Sequence, residues 1–185
     1  MPKRIAVYVY EGISLFHVSV PSAIFSDAYQ GNSPFSMTFC NEAPGAIRTS
    51  NRMEIKVEHG LDALSQADIL IFPSWIPEKA PSAALIKVIL AAHAQGKVLV
   101  GLCVGAYVLA YSGILNNKQA TTHWAYGEAF AERFPEVDYQ ENPLYIKAGN
   151  IMTSAGTAAQ RRAKTVFISP CHLHQLRRPL ECVCR

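Results

Sequence analysis

The chain has 185 residues, of which 50% are hydrophobic and 17% charged, with a formal net charge of +3. That length accommodates one well-buried domain and a short extension, and the composition excludes a disordered or fibrous chain. Residues 160–185 carry Arg161, Arg162, Lys164, Arg177, Arg178 and Arg185 against Glu181 alone, a net +5 that leaves the first 159 residues at −2, so the body is no basic nucleic-acid surface and any DNA-contacting reading rests on the tail.

The opening MPKRIAVYVYEG is basic, but its apolar core is too short for a secretory signal. The most apolar region, 83–110, is broken by Lys87, His93, Lys97 and several glycines, so no membrane span is expected. Five cysteines, an odd and scattered set, make no disulfide framework. A cytoplasmic, reducing location is expected.

In chain order, RIAVYVY (4–10) reads as a buried strand that turns at Glu11-Gly12. SLFHVSVPSAIFSDAYQ follows at helical spacing, with Ser14 as N-cap and Pro21 expected to kink or restart the helix. SMTFCN is the next strand, and GAIRTSNRMEIKVEHG alternates around a polar turn as a small hairpin. ADILIFP is a buried strand; PSAALIKVILAAHAQG is a helix opened near Pro81 and closed at Gly96. KVLVGL is a strand, VGAYVLAYSG an apolar helix ending at Gly113, and ATTHWAYGEAFAERFP turns from extended to helical near Trp124. VDYQ, YIKAGN and IMTSAG are short strands. Strands alternating with helices predict a single-domain α/β fold, a three-layer α/β/α sandwich on a mostly parallel, flavodoxin-like sheet. Domain boundaries are set at 1–159, followed by an atypical basic tail at 160–185 that shows no clean period.

Cys103 stands at the strand–helix junction GLCVG, with Gly101 and Gly105 two residues to either side. A turn tight enough to expose one side chain strains that residue and crowds its neighbours at ±2, which glycine relieves. This is the logic of the nucleophile elbow with cysteine in place of serine. Backbone amides at a helix start favour a thiolate and supply half of an oxyanion hole. A cysteine among Val, Leu and Gly also reads as a small buried hydrophobe, and both readings stand at this stage. His123, in ATTHW, is the candidate base, or a polar residue at a strand end. His17, among Phe16, Val18 and Val20, reads as a satisfied core side chain. His59 and His93 read as surface positions. Cys171, His174, Cys182 and Cys184 have zinc-ligand chemistry but match no standard spacing. No phosphate-binding glycine motif occurs. No metal and no cofactor are expected.

The segments VYVYEGISLFHVSVPSAIF, ADILIFPSW, GLCVGAYVLAYSGILNNKQATTHW and NIMTSAGTAA together resemble the DJ-1/PfpI superfamily, with its class I glutamine-amidotransferase-like fold. They are most similar to the amino-terminal domain of AraC-type transcription regulators, over residues 4–159. The resemblance implies that Cys103 is the elbow cysteine and His123 its ATTHW histidine. It places His17 where the superfamily carries an acidic partner. Val104 replaces the histidine that follows the cysteine in peptidase-like members, and Ser74-Trp75 replaces a Gly-Gly turn. The expected binding residues are therefore His17, Ser74, Trp75, Cys103, Val104 and His123, lining a pocket that the elbow floors. The resemblance implies a small-molecule-sensing regulatory domain, homodimeric, whose DNA contacts belong to a carboxy-terminal helix-turn-helix half that this chain lacks, as in a truncated or frame-shifted product. The alternative is a cysteine-dependent amidase, hydratase or glyoxalase-like enzyme, with Cys103 as nucleophile, His123 as base or orienter and the Val104 N–H as oxyanion donor.

Overall fold

Four consecutive buried residues, Ile5 to Tyr8, open the fold in β1 (Lys3–Tyr8). The computed structural model describes residues 2–29 and 31–156. The expected tail at 160–185, with its cysteine and histidine ligand types, lies outside the described residues.

α1 (Leu15–Phe25) starts where the Ser14 side chain accepts the Phe16 N–H at 3.3 Å, the expected cap. Pro21 neither ends nor restarts it: the helix runs through the proline, leaving the His17 carbonyl without the N–H donor four residues on. β2 (Phe35–Cys40) follows, then the antiparallel hairpin of β3 (Gly45–Arg48) and β4 (Glu54–Val57). α2 (Asp62–Gln66) leads to β5 (Ile69–Phe72), buried along its whole length. α3 (Ala83–Ala94) is capped by Ser82, whose side chain accepts the Leu85 N–H at 3.0 Å, and is stopped by Gly96 at φ +71°.

β6 (Val98–Leu102) passes through a short 3₁₀ turn at Cys103–Gly105 into α4 (Ala106–Tyr111). β7 (Gln119–Ala120) pairs in parallel with β8 (Asp138–Tyr139), and α5 (Gly127–Arg133) lies between them in sequence. β9 (Tyr145–Ala148) and β10 (Ile151–Ser154) complete the described chain.

The main sheet has six strands in the order β2-β1-β5-β6-β10-β9, all parallel except β9. The two-residue period of the strands divides the core. Ile5, Val7, Ile69, Ile71, Val100 and Leu102 face Phe25 of α1. Ala6, Tyr8, Leu70, Phe72 and Leu99 face Leu64 of α2, Leu85 and Ile89 of α3, and α4. Helices on both sides explain why the central strands read as unbroken apolar runs. Each fully buried Ile, Leu or Phe contributes about 1.5–3 kcal/mol relative to an exposed one.

The chain crosses from β1 outward to β2, then returns past β1 to β5, so the topological switch point falls between β1 and β5. Crevices outside the carboxyl ends of such strands are where open α/β sheets bind ligands. His93, expected at the surface, is half-buried. It lies in the last turn of α3, against Asn150, whose side-chain amide donates to the His93 carbonyl. Its Nδ1 is enclosed with no hydrogen-bond partner among the described residues. No helix among the described residues is long and apolar enough to cross a membrane.

Candidate functional site

Cys103 is the first residue after β6 and has φ +55°. That left-handed backbone costs an L-residue about 1–2 kcal/mol, and strain of this kind persists only where the surroundings over-determine it. Here they do. A Cβ on Gly101 would lie 2.8 Å from the Ala106 nitrogen and 2.9 Å from its Cα. A Cβ on Gly105 would lie 1.9 Å from the Phe72 carbonyl oxygen. The first glycine lets α4 fold back onto β6; the second lets the turn press on the end of β5. The strained turn expected from GLCVG is therefore present, and its sulfur-bearing residue is only 5% exposed.

The ATTHW segment is brought to the elbow by its threonines. Thr122 Oγ1 donates to the Cys103 carbonyl at 3.0 Å, and the Thr121 N–H donates to Thr153 Oγ1 on β10, also at 3.0 Å. His123 follows, half-buried, with its ring stacked on Trp124 at 5.4 Å and edge-on to Tyr126 at 5.8 Å. His123 Nδ1 accepts the Ala125 N–H at 3.2 Å, capping the 3₁₀ turn Trp124–Tyr126. A neutral imidazole accepting at Nδ1 carries its proton on Nε2, so the ring is a donor on its other edge.

His17 reaches the same place from α1. Burial and the neighbouring His123 both hold its pKa below the ordinary histidine value. The position where the resemblance puts a carboxylate thus holds a second imidazole facing the first. Ser74, after β5, hydrogen-bonds the Tyr10 hydroxyl, whose pKa burial raises and whose electrostatic neighbours include Cys103 and Tyr126. Among the described residues no group of three or more His, Cys, Asp or Glu side chains is placed to hold a metal ion.

Of the six expected residues, His17, Ser74, Cys103 and His123 therefore gather around Tyr10 and Tyr126. Val104 is buried in the core beneath them. Trp75 lies on the Tyr8 side of Tyr10. A cavity of about 580 Å³ opens at the carboxyl ends of β1, β2 and β5, and Trp75 lines it while Cys103, His17, Ser74, Val104 and His123 do not. Trp75 packs on Tyr10 and Tyr8 and donates its indole N–H to the Lys79 carbonyl, which draws its ring over β1 rather than over β6. Tyr10 is the wall shared between cavity and elbow. Tyr8, Tyr10, Tyr126, Glu42 and Lys79 were not anticipated. The switch-point rule, applied to the YEG turn after β1, is the signal that points to Tyr10.

A strained cysteine elbow at the carboxyl edge of a doubly wound sheet defines a class of α/β proteins. Within that class the chain belongs to the DJ-1/PfpI family, whose signature its residues 3–166 match. It is 29% identical over 116 residues to the HTH-type transcriptional regulator CdhR of Pseudomonas aeruginosa, an overlap of 62% of this chain and 34% of that regulator. The chain thus spans about a third of that relative's length. It is 34% identical over 68 residues to an isonitrile hydratase of Pseudomonas putida, covering 36% of this chain and 28% of the hydratase. In fold it is similar to the crystal structure of an AraC family transcriptional regulator from Pseudomonas putida, with a TM-score of 0.76, 18% identity, and 90% of this chain and 91% of that one covered.

Proposed function

We propose that residues 1–159 form a small-molecule-sensing domain of a transcriptional regulator rather than an enzyme, acting as a homodimer whose DNA contacts come from a separate domain. The observation that carries the reading is the state of His123. Its Nδ1 accepts the Ala125 N–H, and its electrostatic neighbour is His17 rather than a carboxylate. A histidine ring held as a cap and set against a second imidazole is suited to contacting a ligand rather than to serving as a general base. The likeness to the regulator CdhR supports the same reading. Ligand contact at His17, Ser74, Cys103 and His123 on one side of Tyr10, and at Trp75 on the other, would alter the dimer and so the attached DNA-binding unit. Val104 serves by packing the floor beneath Cys103.

The enzymatic reading has one observation in its favour, the backbone strain at Cys103, together with the partial likeness to an isonitrile hydratase. The pH dependence of iodoacetamide alkylation, read at the Cys103 peptide by mass spectrometry, separates the two. Sensing predicts a slow thiol with an apparent pKa at or above the ordinary ~8.5. An apparent pKa below about 6, with turnover of an isonitrile or amide that Cys103→Ser abolishes, overturns it.

A further inference from the structure

The two tryptophans of the chain stand in two separate short segments. Trp75 belongs to segment 73–82, which joins β5 to α3 and also carries Ser74 and Lys79. Trp124 opens the 3₁₀ turn that His123 caps. Each segment is fastened through a backbone carbonyl, and the donor comes from the same helix in both cases. The Tyr107 hydroxyl of α4 donates to the Tyr126 carbonyl at 2.9 Å. The Tyr111 hydroxyl of α4 donates to the Pro77 carbonyl at 2.7 Å.

The spacing makes the two ties one device. Residues four apart lie on one face of a helix, a turn from each other. Both rings meet Phe134 edge-on, at 5.7 and 5.0 Å with planes inclined at 77° and 88°, so the end of α5 fixes the direction of both phenols. Arg133 donates to the Pro77 carbonyl at 2.6 Å and to the Tyr111 hydroxyl at 2.8 Å, which closes the knot. α4 begins directly behind the elbow turn, with Ala106 to Ala110 buried. With glycine at 101 and 105, it lies against β6 and the turn against the end of β5. A close-packed element of this kind transmits a displacement rather than absorbing it. Pro77 lies between Trp75 and Lys79, whose indole-to-carbonyl hydrogen bond closes that segment on itself, so a shift of Trp75 pulls on Tyr111. Tyr126 ends the turn capped by the His123 ring, so a shift of that turn pulls on Tyr107.

We propose that α4 couples the two segments, Tyr107 and Tyr111 passing a displacement of segment 73–82 to the His123–Tyr126 turn and back. This deepens the sensing reading by giving its two contact zones a shared element, and rests on that reading for its regulatory meaning. Such a coupling is reciprocal, and the test uses that. The full chain is labelled with 5-fluorotryptophan, its two fluorine resonances are recorded by NMR, and Trp124→Phe assigns them. Tyr111→Phe, cut on the Trp75 side, shifts the Trp124 resonance by more than its linewidth as well as that of Trp75. Tyr107→Phe, cut on the Trp124 side, shifts the Trp75 resonance likewise. Each substitution removes a donor and keeps the ring, so a distant indole feels it only through movement. Arg133→Gln, an exposed change, loosens the Pro77 knot a second way and also shifts both. Ile5→Val, buried on the α1 face of the sheet, loosens the domain elsewhere and shifts neither. Shifts confined to the resonance beside each substitution overturn the proposal, and so does Ile5→Val moving both. Cysteine-dependent turnover with the crossed shifts intact overturns the sensing reading alone; an inert Cys103 with confined shifts overturns the coupling alone.

Discussion

Gly105→Ala probes the geometry on which the elbow depends. The added Cβ would stand 1.9 Å from the Phe72 carbonyl oxygen and 2.9 Å from its carbon. To reach even 3.0 Å, the closest approach real Cβ atoms make, the contact must open by 3.0 − 1.9 = 1.1 Å. The obstacle is backbone, and it belongs to a strand fixed on both edges: β5 lies between β1 and β6, with Phe72 opposite Gly101. Overpacking costs about 1–3 kcal/mol where side chains can adjust, so a loss of about 3 kcal/mol or more is expected here. That corresponds to a fall in Tm of about 6–12 °C, at the ~2–4 °C per kcal/mol usual for a domain of this size. Gly96→Ala is the control. Its φ is +71° but nothing lies within 4 Å of the added carbon, so it bears only the conformational penalty of about 1 kcal/mol. Urea unfolding of both variants, with m-values compared, measures the difference. Equal destabilisation of the two would refute the close approach of turn and strand.

The strain at Cys103 has its own signature. At φ +55°, Cys103→Ala keeps the Cβ clash and Cys103→Gly removes it, so the glycine variant should be the more stable by about 0.5–1 kcal/mol after its extra unfolded-state entropy; an alanine variant that is equal or better contradicts the strained turn. At high pH, burial first and the Asp62 charge second push the Cys40 thiol up to about 12, and burial raises Tyr8 and Tyr10 in the same direction. The native state then holds protons that the unfolded chain releases above about pH 9, so stability falls as pH rises from 9 toward 12. Cys40→Ala should flatten the first part of that decline in pH-dependent urea unfolding, and an unchanged slope would contradict the burial of the thiol. His17 gives the opposite limb. Its folded pKa is lowered by burial and by His123, so the unfolded chain binds the extra proton and stability is lost as pH falls below 6.5. His17→Gln should reduce that loss between pH 6.5 and 5, and an unaltered acid limb would separate His17 from His123.

Much of the architecture is legible along the chain because it is local or nearly so. ILIF and VLVGL announce strands buried on both faces, and Ser14 and Gly96 act as the helix start and stop expected of them. Pro21, expected to kink or restart α1, does not restart it: the helix runs through the proline, with Pro21 and Phe25 buried, and tolerates one lost hydrogen bond. The elbow was legible for the same local reason. Two glycines flanking a cysteine describe crowding within five residues, and the clashes a Cβ would make at Gly101 and Gly105 are that crowding in space.

What the sequence determined by itself is therefore the set of elements, the family, and the strained cysteine between β6 and α4. What only the tertiary structure decided is company. His17 meets His123 across the whole domain, and the His123 ring direction follows from a cap two residues away. Trp75 packs on Tyr8 and Tyr10 and shares a cavity wall with Glu42. The reason is physical: periodicity and glycine spacing act within one element, whereas a cavity is walled by the ends of strands whose neighbours are chosen by parallel pairing. Here β1 lies between β2 and β5, and that register brings Tyr8, Glu42 and Trp75, distant in sequence, to one wall.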